Sequence, residues 1–217
     1  MPAYFEDRQD AGRRLAERLL GYRAARDTVV VALPRGGVPV ASEVSRALSL
    51  PLDVLVVRKL GAPGNEEYAL GAIASGGVRV LNRHAIAVLG VAQGTVDAIA
   101  LREQRELERR ERAFRPGRPP LDVRGKTVLL VDDGVATGST LLAALRSLRH
   151  GGAVRIVVAV PTISRETLSR MRGEADDWVA LIVPSPFGSV GEWYASFPQV
   201  SDDEVKTQLG GVAEAAG

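Results

Sequence analysis

Two adjacent carboxylates stand where an apolar stretch meets a run of glycine, serine and threonine. The stretch "VLLVDDGVATGST" covers residues 128–140 and contains Asp132 and Asp133. Ionised carboxylates only accept hydrogen bonds, so this pair suits the vicinal hydroxyls of a sugar. The turn that follows offers backbone N–H groups, hydroxyl donors and the positive end of a helix dipole, which suit a phosphate group. The spacing predicts a sugar-phosphate site; a plain strand–helix turn capped by Ser139 is the structural alternative.

A second loop of this type occurs earlier, in "VALPRGGVPVA" at residues 31–41. Gly36 and Gly37 allow the backbone to approach a ligand closely, and Arg35 brings forked donors suited to phosphate oxygens. A helix start with a surface arginine is the alternative here. Two anion-binding loops at one edge of a sheet imply a ligand with two separated phosphate groups.

Both loops follow apolar, β-branched runs, which predict strands buried on both faces. The predicted strands cover residues 28–33, 52–57, 127–131, 154–160 and 178–183. The predicted helices cover residues 7–20, 38–48, 95–114, 139–149 and 164–172. This βα alternation predicts an α/β fold with a doubly wound, mostly parallel sheet. Ligands of such sheets bind beyond the carboxyl ends of the strands, where both loops lie.

Two segments depart from the βα alternation. Residues 60–78 carry five glycines and a proline, which indicates a long loop or a loose hairpin that residues 78–82 would close. We therefore expect a core over residues 1–183 that includes a flexible loop at 60–78. Residues 184–217 are expected to form a small C-terminal cap, called the hood below. Its first part holds four of the ten aromatic residues of the chain: Phe187, Trp193, Tyr194 and Phe197.

Composition limits the classes of function. The chain has 217 residues, of which 46% are hydrophobic and 25% charged, with a formal net charge of +2. That net charge is too small to indicate binding to nucleic acid, but it is compatible with a polyanionic small ligand. The charge-dense helix at 95–114 is typical of a solvated surface with ion pairs. The absence of cysteine excludes disulfides and thiolate metal sites. The N-terminus lacks a secretory pattern, and no apolar run approaches the roughly 20 residues that span a bilayer, so we expect a cytoplasmic protein.

The stretch at 128–140 resembles the phosphoribosyl pyrophosphate (PRPP) signature of type I phosphoribosyltransferases: an apolar strand, two acidic residues and a T-G-x-T/S turn. "PRGG" resembles the pyrophosphate loop of the same family, and the similarity extends over about residues 7–185. It implies transfer of the 5-phosphoribosyl group from PRPP to a nitrogenous base or related nucleophile, with release of pyrophosphate. It also implies that Mg²⁺ arrives with PRPP and has no direct protein ligands.

The resemblance also implies roles for individual residues. Asp132 and Asp133 would contact the ribose hydroxyls and, with Arg35, form the catalytic set. The 5-phosphate would be held by Ala136, Thr137, Gly138, Ser139 and Thr140. Pyrophosphate would be held by Arg35, Gly36, Gly37, Arg58 and Lys59. Some members place the last two at a dimer interface, which makes a homodimer a candidate assembly, and residues 60–78 would close over PRPP.

The acceptor is constrained by one departure from the family pattern. Members that act on 6-oxopurines carry an acidic residue where this chain has Ala136, which disfavours hypoxanthine and guanine. The general base is unassigned, and Glu192 is a candidate only because it adjoins Trp193. Phe187 and Trp193 are predicted to stack on a planar base, with a small satellite core of aromatics as the alternative. The expected partners are PRPP and an acceptor base, without nucleic acid or membrane.

Three other functions are alternatives to the transferase. A non-catalytic PRPP-sensing regulator on the same fold would normally need a nucleic-acid-binding module, and no winged-helix segment precedes residue 28. A serine hydrolase is disfavoured because the chain has two histidines, His84 and His150, and lacks a G-x-S-x-G elbow. A metal enzyme lacks ligands for the same reason, and His150 is better explained as a helix-terminal residue. The sensor stays open as an alternative to the enzyme.

Overall fold

Eight strands and seven α-helices occur in the part of the chain that this computed structural model describes, residues 4–117, 119 and 121–214. The strands are β1 (Thr28–Ala32), β2 (Leu52–Val54), β3 (Val57–Ala62), β4 (Asn65–Ala74), β5 (Val78–Leu81), β6 (Thr127–Val131), β7 (Arg155–Thr162) and β8 (Asp177–Ile182). The helices are α1 (Arg8–Glu17), α2 (Gly37–Leu48), α3 (Arg83–Val88), α4 (Gln93–Phe114), α5 (Ser139–His150), α6 (Arg165–Met171) and α7 (Asp202–Glu214).

The central sheet has five parallel strands in the order β2-β1-β6-β7-β8. This confirms the predicted doubly wound, parallel α/β architecture. Strands β1 and β6 are direct neighbours, and their last residues, Ala32 and Val131, are paired in register. Because parallel strands end at the same edge, the loops that follow β1 and β6 begin side by side.

Alternation along the buried strands explains why helices cover both faces of this sheet. All five residues of β1 are buried, and successive side chains point to opposite faces. One face carries Val30, Ala32, Leu129 and Val131 and packs in a core with residues of α1, α2, α4 and α7. The other face carries Val29, Val31, Val128 and Leu130 and packs with α5 and α6. Both faces are therefore apolar, as the continuous β-branched runs predict.

Residues 60–78 belong mostly to a second sheet, an antiparallel one with the order β3-β4-β5. The hairpin alternative is thus confirmed, whereas the long loop is wrong. The strand predicted at 52–57 is present in the parallel sheet but is shorter than predicted. The first strand ends at Val54, and Val57 already starts β3. Leu60 and Leu70 are fully buried in the core on the α1–α2 side, and this burial gives the glycine-rich segment regular structure.

The hood packs on the N-terminal segment of the chain. The backbone N–H of Phe5 donates to the Trp193 carbonyl at 2.9 Å, and that of Ala195 donates to the Phe5 carbonyl at 2.8 Å. Tyr194 is buried with Phe5 and Ala11 in a satellite core, as the structural alternative proposed. Helices α3 and α7 were not predicted from the sequence. In the described residues, none of the helices has the length and apolarity needed to span a membrane.

Candidate functional site

The two loops singled out in the sequence touch each other. A Cβ atom on Gly36 would overlap the Oδ2 atom of Asp133. A Cβ atom on Gly37 would lie 2.8 Å from the carbonyl oxygen of Val131 and 2.9 Å from the Cα atom of Asp132. The peptide bond between Pro34 and Arg35 is cis. Packing between the two loops is therefore enough to require glycine at both positions, because a larger residue at either would keep the loops apart.

The acidic pair lies at the carboxyl end of β6 and is largely shielded from solvent. The Oδ1 atom of Asp132 accepts a hydrogen bond of 2.9 Å from the backbone N–H of Asp133. Burial raises the pKa of Asp132 well above its usual value, and the neighbouring charge of Asp133 raises it further. Burial also raises the pKa of Asp133, although hydrogen bonding to Arg8 works in the opposite direction. The hydroxyl of Tyr194 donates to the Asp133 carbonyl at 2.5 Å and fixes the backbone there.

Two arginines approach this edge of the sheet, each paired with an acid. The Nε atom of Arg8 lies 2.8 Å from Asp133 Oδ2. Arg35 extends from the loop after β1, and its guanidinium lies 3.6 Å from the Asp202 carboxylate at the start of α7. Arg8 and Asp202 were missed by sequence reasoning. Arg8 is 125 residues from Asp133 in the chain, and no local pattern signals a contact over that separation.

An open cavity of about 500 Å³ lies where these groups meet. Its lining residues are Arg8, Arg35, Gly36, Asp133, Val190, Phe197, Pro198, Gln199 and Val200. The structure thus brings Arg35, Gly36 and Asp133 together, as predicted, and adds a wall from the hood. The cavity combines donors from the arginines with acceptors from a carboxylate, a combination suited to a polar, anionic ligand.

The turn at residues 136–140 is anchored by α6. The carbonyl oxygen of Ala136 accepts hydrogen bonds from the hydroxyls of Thr167 at 2.5 Å and Ser164 at 3.2 Å. The carbonyl oxygen of Thr137 accepts one of 2.6 Å from Arg170. In a trans peptide the N–H group points away from the carbonyl, so the N–H groups of Thr137 and Gly138 face away from α6. These α6 side chains were missed by sequence reasoning, because their partner is a backbone turn about 30 residues earlier.

A second cavity, of about 430 Å³, lies beside this turn. Its lining includes Ala136, Thr137, Arg165, Arg170 and residues 184–188 of the hood. Phe187 is among them. Trp193 is not among the described lining residues; it packs behind Phe187, with ring centroids 6.3 Å apart and planes 29° apart. Glu192 accepts a hydrogen bond of 3.2 Å from the Ser189 hydroxyl.

Arg58 and Lys59 lie on β3, in the antiparallel sheet. Arg58 donates two hydrogen bonds, of 2.9 and 2.6 Å, to Oε2 of Glu103 on α4. Neither basic residue is among the described lining of the two cavities. His84 is exposed near the start of α3 and His150 ends α5. Within the described ranges, the His, Asp and Glu side chains form no group of three or more arranged to hold a metal ion.

The sheet and its two adjoining loops define a doubly wound α/β protein with a polar cleft at the carboxyl edge of its parallel strands. Comparison with known families gives the particular class. The family model described as a phosphoribosyl transferase domain matches residues 5–180. The chain therefore belongs to the phosphoribosyl transferase domain family.

Known relatives agree with this assignment. A Mycobacterium tuberculosis (strain ATCC 25618 / H37Rv) protein named "Putative phosphoribosyl transferase Rv0571c" is 47% identical over 201 residues, which are 93% of this chain and 45% of the relative. The chain thus spans less than half the length of that curated relative. The crystal structure of TT1426 from Thermus thermophilus is 44% identical, with a TM-score of 0.82, and the match covers 98% of this chain and 99% of TT1426.

A more distant structure shows the fold alone. The AQ2163 protein from Aquifex aeolicus is 15% identical, has a TM-score of 0.52, and matches over 93% of this chain and 84% of its own.

Proposed function

We propose that this protein transfers the 5-phosphoribosyl group of PRPP to a nitrogenous base or related nucleophile and releases pyrophosphate. The observation that carries the proposal is the contact between the Arg35–Gly37 loop and the Asp132–Asp133 pair, around one cavity in a chain of this family. PRPP carries a phosphate at one end, a pyrophosphate at the other and a diol between them. The cleft offers groups suited to a phosphate, a diol and a second phosphate group in the same order.

Each part of PRPP has a proposed partner. Asp132 and Asp133 accept hydrogen bonds from the ribose hydroxyls, which only an ionised carboxylate or a similar acceptor can do. The turn from Ala136 to Thr140 holds the 5-phosphate through N–H groups that face away from α6 and through its hydroxyls. Arg35 with the N–H group of Gly36 holds pyrophosphate. The N–H group of Gly37 already donates to the Leu33 carbonyl at 3.1 Å, so Gly37 contributes by allowing the two loops to meet. Arg58 and Lys59 would join them only after a movement of the antiparallel sheet, because Arg58 is paired with Glu103.

In the reaction, the acceptor attacks the anomeric carbon of the ribose as pyrophosphate leaves, through an oxocarbenium-like transition state. The protein contributes chiefly by holding both partners in line and by stabilising charge on the leaving group, which is the role of Arg35. Mg²⁺ would arrive with PRPP and would supply charge neutralisation at the leaving group, while Arg35 supplies the protein's own positive charge there. The hairpin that contains residues 60–78 closes over PRPP and excludes water.

The acceptor is proposed to occupy the cavity beside the 5-phosphate turn. Phe187 provides a flat apolar face there, and Trp193 supports it from behind. Ala136 in this lining disfavours hypoxanthine and guanine as acceptors. The same lining contains Arg165 and Arg170 and one acid, Glu166, which lies 3.7 Å from Arg170. The remaining positive charge favours acceptors with carbonyl or anionic groups. Glu192 stays a candidate proton acceptor on the hood.

Pyrophosphate release during incubation with PRPP, Mg²⁺ and a panel of nucleobases and small amines tests the proposal. We expect release with at least one acceptor. Arg35→Ala should lower turnover about a hundredfold, equivalent to roughly 3 kcal/mol of lost transition-state stabilisation. The matched control is Arg46→Ala, because Arg46 is exposed on α2 and pairs with Glu43. PRPP binding without release with any acceptor would instead favour the PRPP-sensing regulator.

A further inference from the structure

Arg8 is a cation buried at the first position of α1, where the carboxylate of Asp7 caps the helix. Only 8% of Arg8 is exposed to solvent. A buried charge is costly unless it is paired and hydrogen-bonded, so its partners indicate why it is there. They come from distant parts of the chain: the Asp133 carboxylate at 2.8 Å and the carbonyl oxygen of Pro198 at 2.7 Å. The guanidinium also lies 3.7 Å from the ring centroid of Phe197.

These contacts join three segments at the edge of one cavity. Asp133 follows the central strand β6, Phe197 and Pro198 belong to the hood, and Arg8 begins the N-terminal helix. Arginine suits this position better than lysine does, since its planar group can stack on a ring and donate hydrogen bonds in two fixed directions. One side chain thus couples the position of the hood to the orientation of a carboxylate.

Asp133 needs such a partner to stay ionised. Its environment contains Asp132 beside it, the phenol of Tyr194 from the hood, and Arg35 across the cavity, itself paired with Asp202 of α7. Burial favours the neutral form of both carboxyls of the pair. Arg8 is the cation in direct contact with Asp133, and its charge lowers the pKa of both carboxyls.

We infer that Arg8 is a positioning residue of the PRPP site, which keeps the Asp133 carboxylate ionised and oriented toward the ribose hydroxyls and ties it to the hood. The inference rests on the proposed function in naming PRPP as the ligand. An ionised carboxylate can accept about four hydrogen bonds, so the bond from Arg8 Nε leaves acceptor capacity for a sugar. A protonated Asp133 would present a donor to hydroxyl groups that themselves have to donate.

The first test measures the ionisation of the Asp133 side chain in the absence of ligand. The side-chain carboxyl of Asp133 is titrated by ¹³C NMR in the wild type, Arg8→Met and Arg14→Met, with Asp133→Asn to assign the signal. Arg14 is the matched control because it lies on the same helix but is exposed and pairs with Asp10. We expect Arg8→Met to raise the midpoint by roughly one to three pH units, the usual effect of losing an adjacent opposite charge. An unchanged midpoint would overturn the inference even if PRPP binds.

The second test measures PRPP binding in the presence of Mg²⁺ by calorimetry between about pH 6 and pH 8.5. Arg8→Met should bind more weakly than the wild type at the acidic end of this range, by up to about tenfold for each unit that its midpoint is raised, since the ionised fraction falls tenfold per pH unit below a midpoint. The difference should shrink as the pH rises toward about 8.5. The ionisation of PRPP itself is common to all variants. An equal loss at every pH would show that Arg8 only packs, and would overturn the inference.

The two tests separate this inference from the proposed function. If the wild type binds no PRPP, the proposed function fails, and the titration alone decides whether Arg8 controls Asp133. Melting without ligand checks that each variant folds. If Arg8→Met does not fold, Arg8→Lys replaces it: a charge moved away from Asp133 should raise the midpoint by a smaller amount and weaken PRPP binding. If both quantities stay at wild-type values in Arg8→Lys, the inference is overturned.

Discussion

For Asp132 and Asp133, the stability of the fold and the proposed role in ligand binding favour different ionisation states. Both carboxyls have a raised pKa because burial disfavours their charged forms, and in Asp132 the charge of its neighbour adds to the effect. An acid whose pKa is higher in the folded state destabilises that state once the pH exceeds its pKa in the unfolded chain. The penalty grows as the pH rises toward the folded-state pKa. Such a pair persists where ligand binding needs the charges.

Asp132→Asn is predicted to stabilise the protein at neutral pH while weakening PRPP binding. The amide oxygen still accepts the hydrogen bond from the backbone of Asp133, but the desolvated charge is gone. We expect a gain of about 1 kcal/mol, the order of magnitude for relieving the desolvation of a buried polar group. The melting temperature should rise by roughly 2–4 °C near pH 7 and by less near pH 5.

Melting at both pH values and calorimetry with PRPP check this prediction. The control is Asp97→Asn, since Asp97 is half-exposed in a surface ion pair with Arg79, and its loss should change stability little. Lower stability of Asp132→Asn at both pH values would show instead that the carboxylate is satisfied in the folded protein.

Among the described residues, two ion pairs of different depth connect the antiparallel sheet to α4. Arg58 on β3 meets Glu103, whose side chain is only 9% exposed. Arg79 on β5 meets Asp97, and both of those side chains are largely exposed. Ion pairs on the surface contribute little to the free energy of unfolding. Removing one partner of a buried pair is costly, because it leaves an uncompensated charge inside the protein. The inner pair is therefore expected to contribute more to holding the sheet on α4 than the outer pair does.

Arg58→Ala is predicted to cost about 2 kcal/mol of unfolding free energy, because the partner that the described residues leave to the buried Glu103 is the exposed Arg102. Arg79→Ala, the matched control on the same sheet and helix, should cost less than about 1 kcal/mol. Adding Glu103→Gln to Arg58→Ala should restore part of the loss. Urea unfolding midpoints give the comparison. Equal costs for the two arginine variants would mean that the inner pair is not a significant anchor.

For the whole molecule, the proposed ligand spans segments that are far apart in the chain. The segments that meet at one edge of the sheet are the loop at residues 34–37, the 132–140 segment, α1 and the hood. A ligand that contacts several of them stabilises the folded state as a unit, since it binds the folded chain and not the unfolded one.

PRPP with Mg²⁺ is predicted to add about 2.7 kcal/mol of stability at a concentration a hundredfold above its Kd. This corresponds to a rise in Tm of roughly 5–10 °C for a chain of this size. Ribose 5-phosphate should give a smaller rise. In Arg35→Ala the response to pyrophosphate should be lost and the response to ribose 5-phosphate kept. Millimolar PRPP without any shift in Tm would count against the whole site.

Local patterns in the sequence predicted much of this architecture. Strand β6 was placed at its observed bounds, because a continuous β-branched run between glycine-containing turns has few other structures available. Helices α2 and α5 were found within one residue at each end. The acidic pair, the glycine turn and "PRGG" were recognisable because each consists of neighbours in the chain. The segment at 60–78 was harder, since its glycines hide the alternation that its burial in the core imposes.

Only the tertiary structure decided which groups meet. Arg8, Arg170 and Asp202 approach the loops from helices that lie far away in the sequence, and no local periodicity records such contacts. The strand order placed β1 beside β6 and so joined two loops that lie about a hundred residues apart. Residue types determine what chemistry each loop can do. Whether a carboxylate is buried, paired and ionised depends on packing across the whole chain, because desolvation and long-range charge are properties of the folded state.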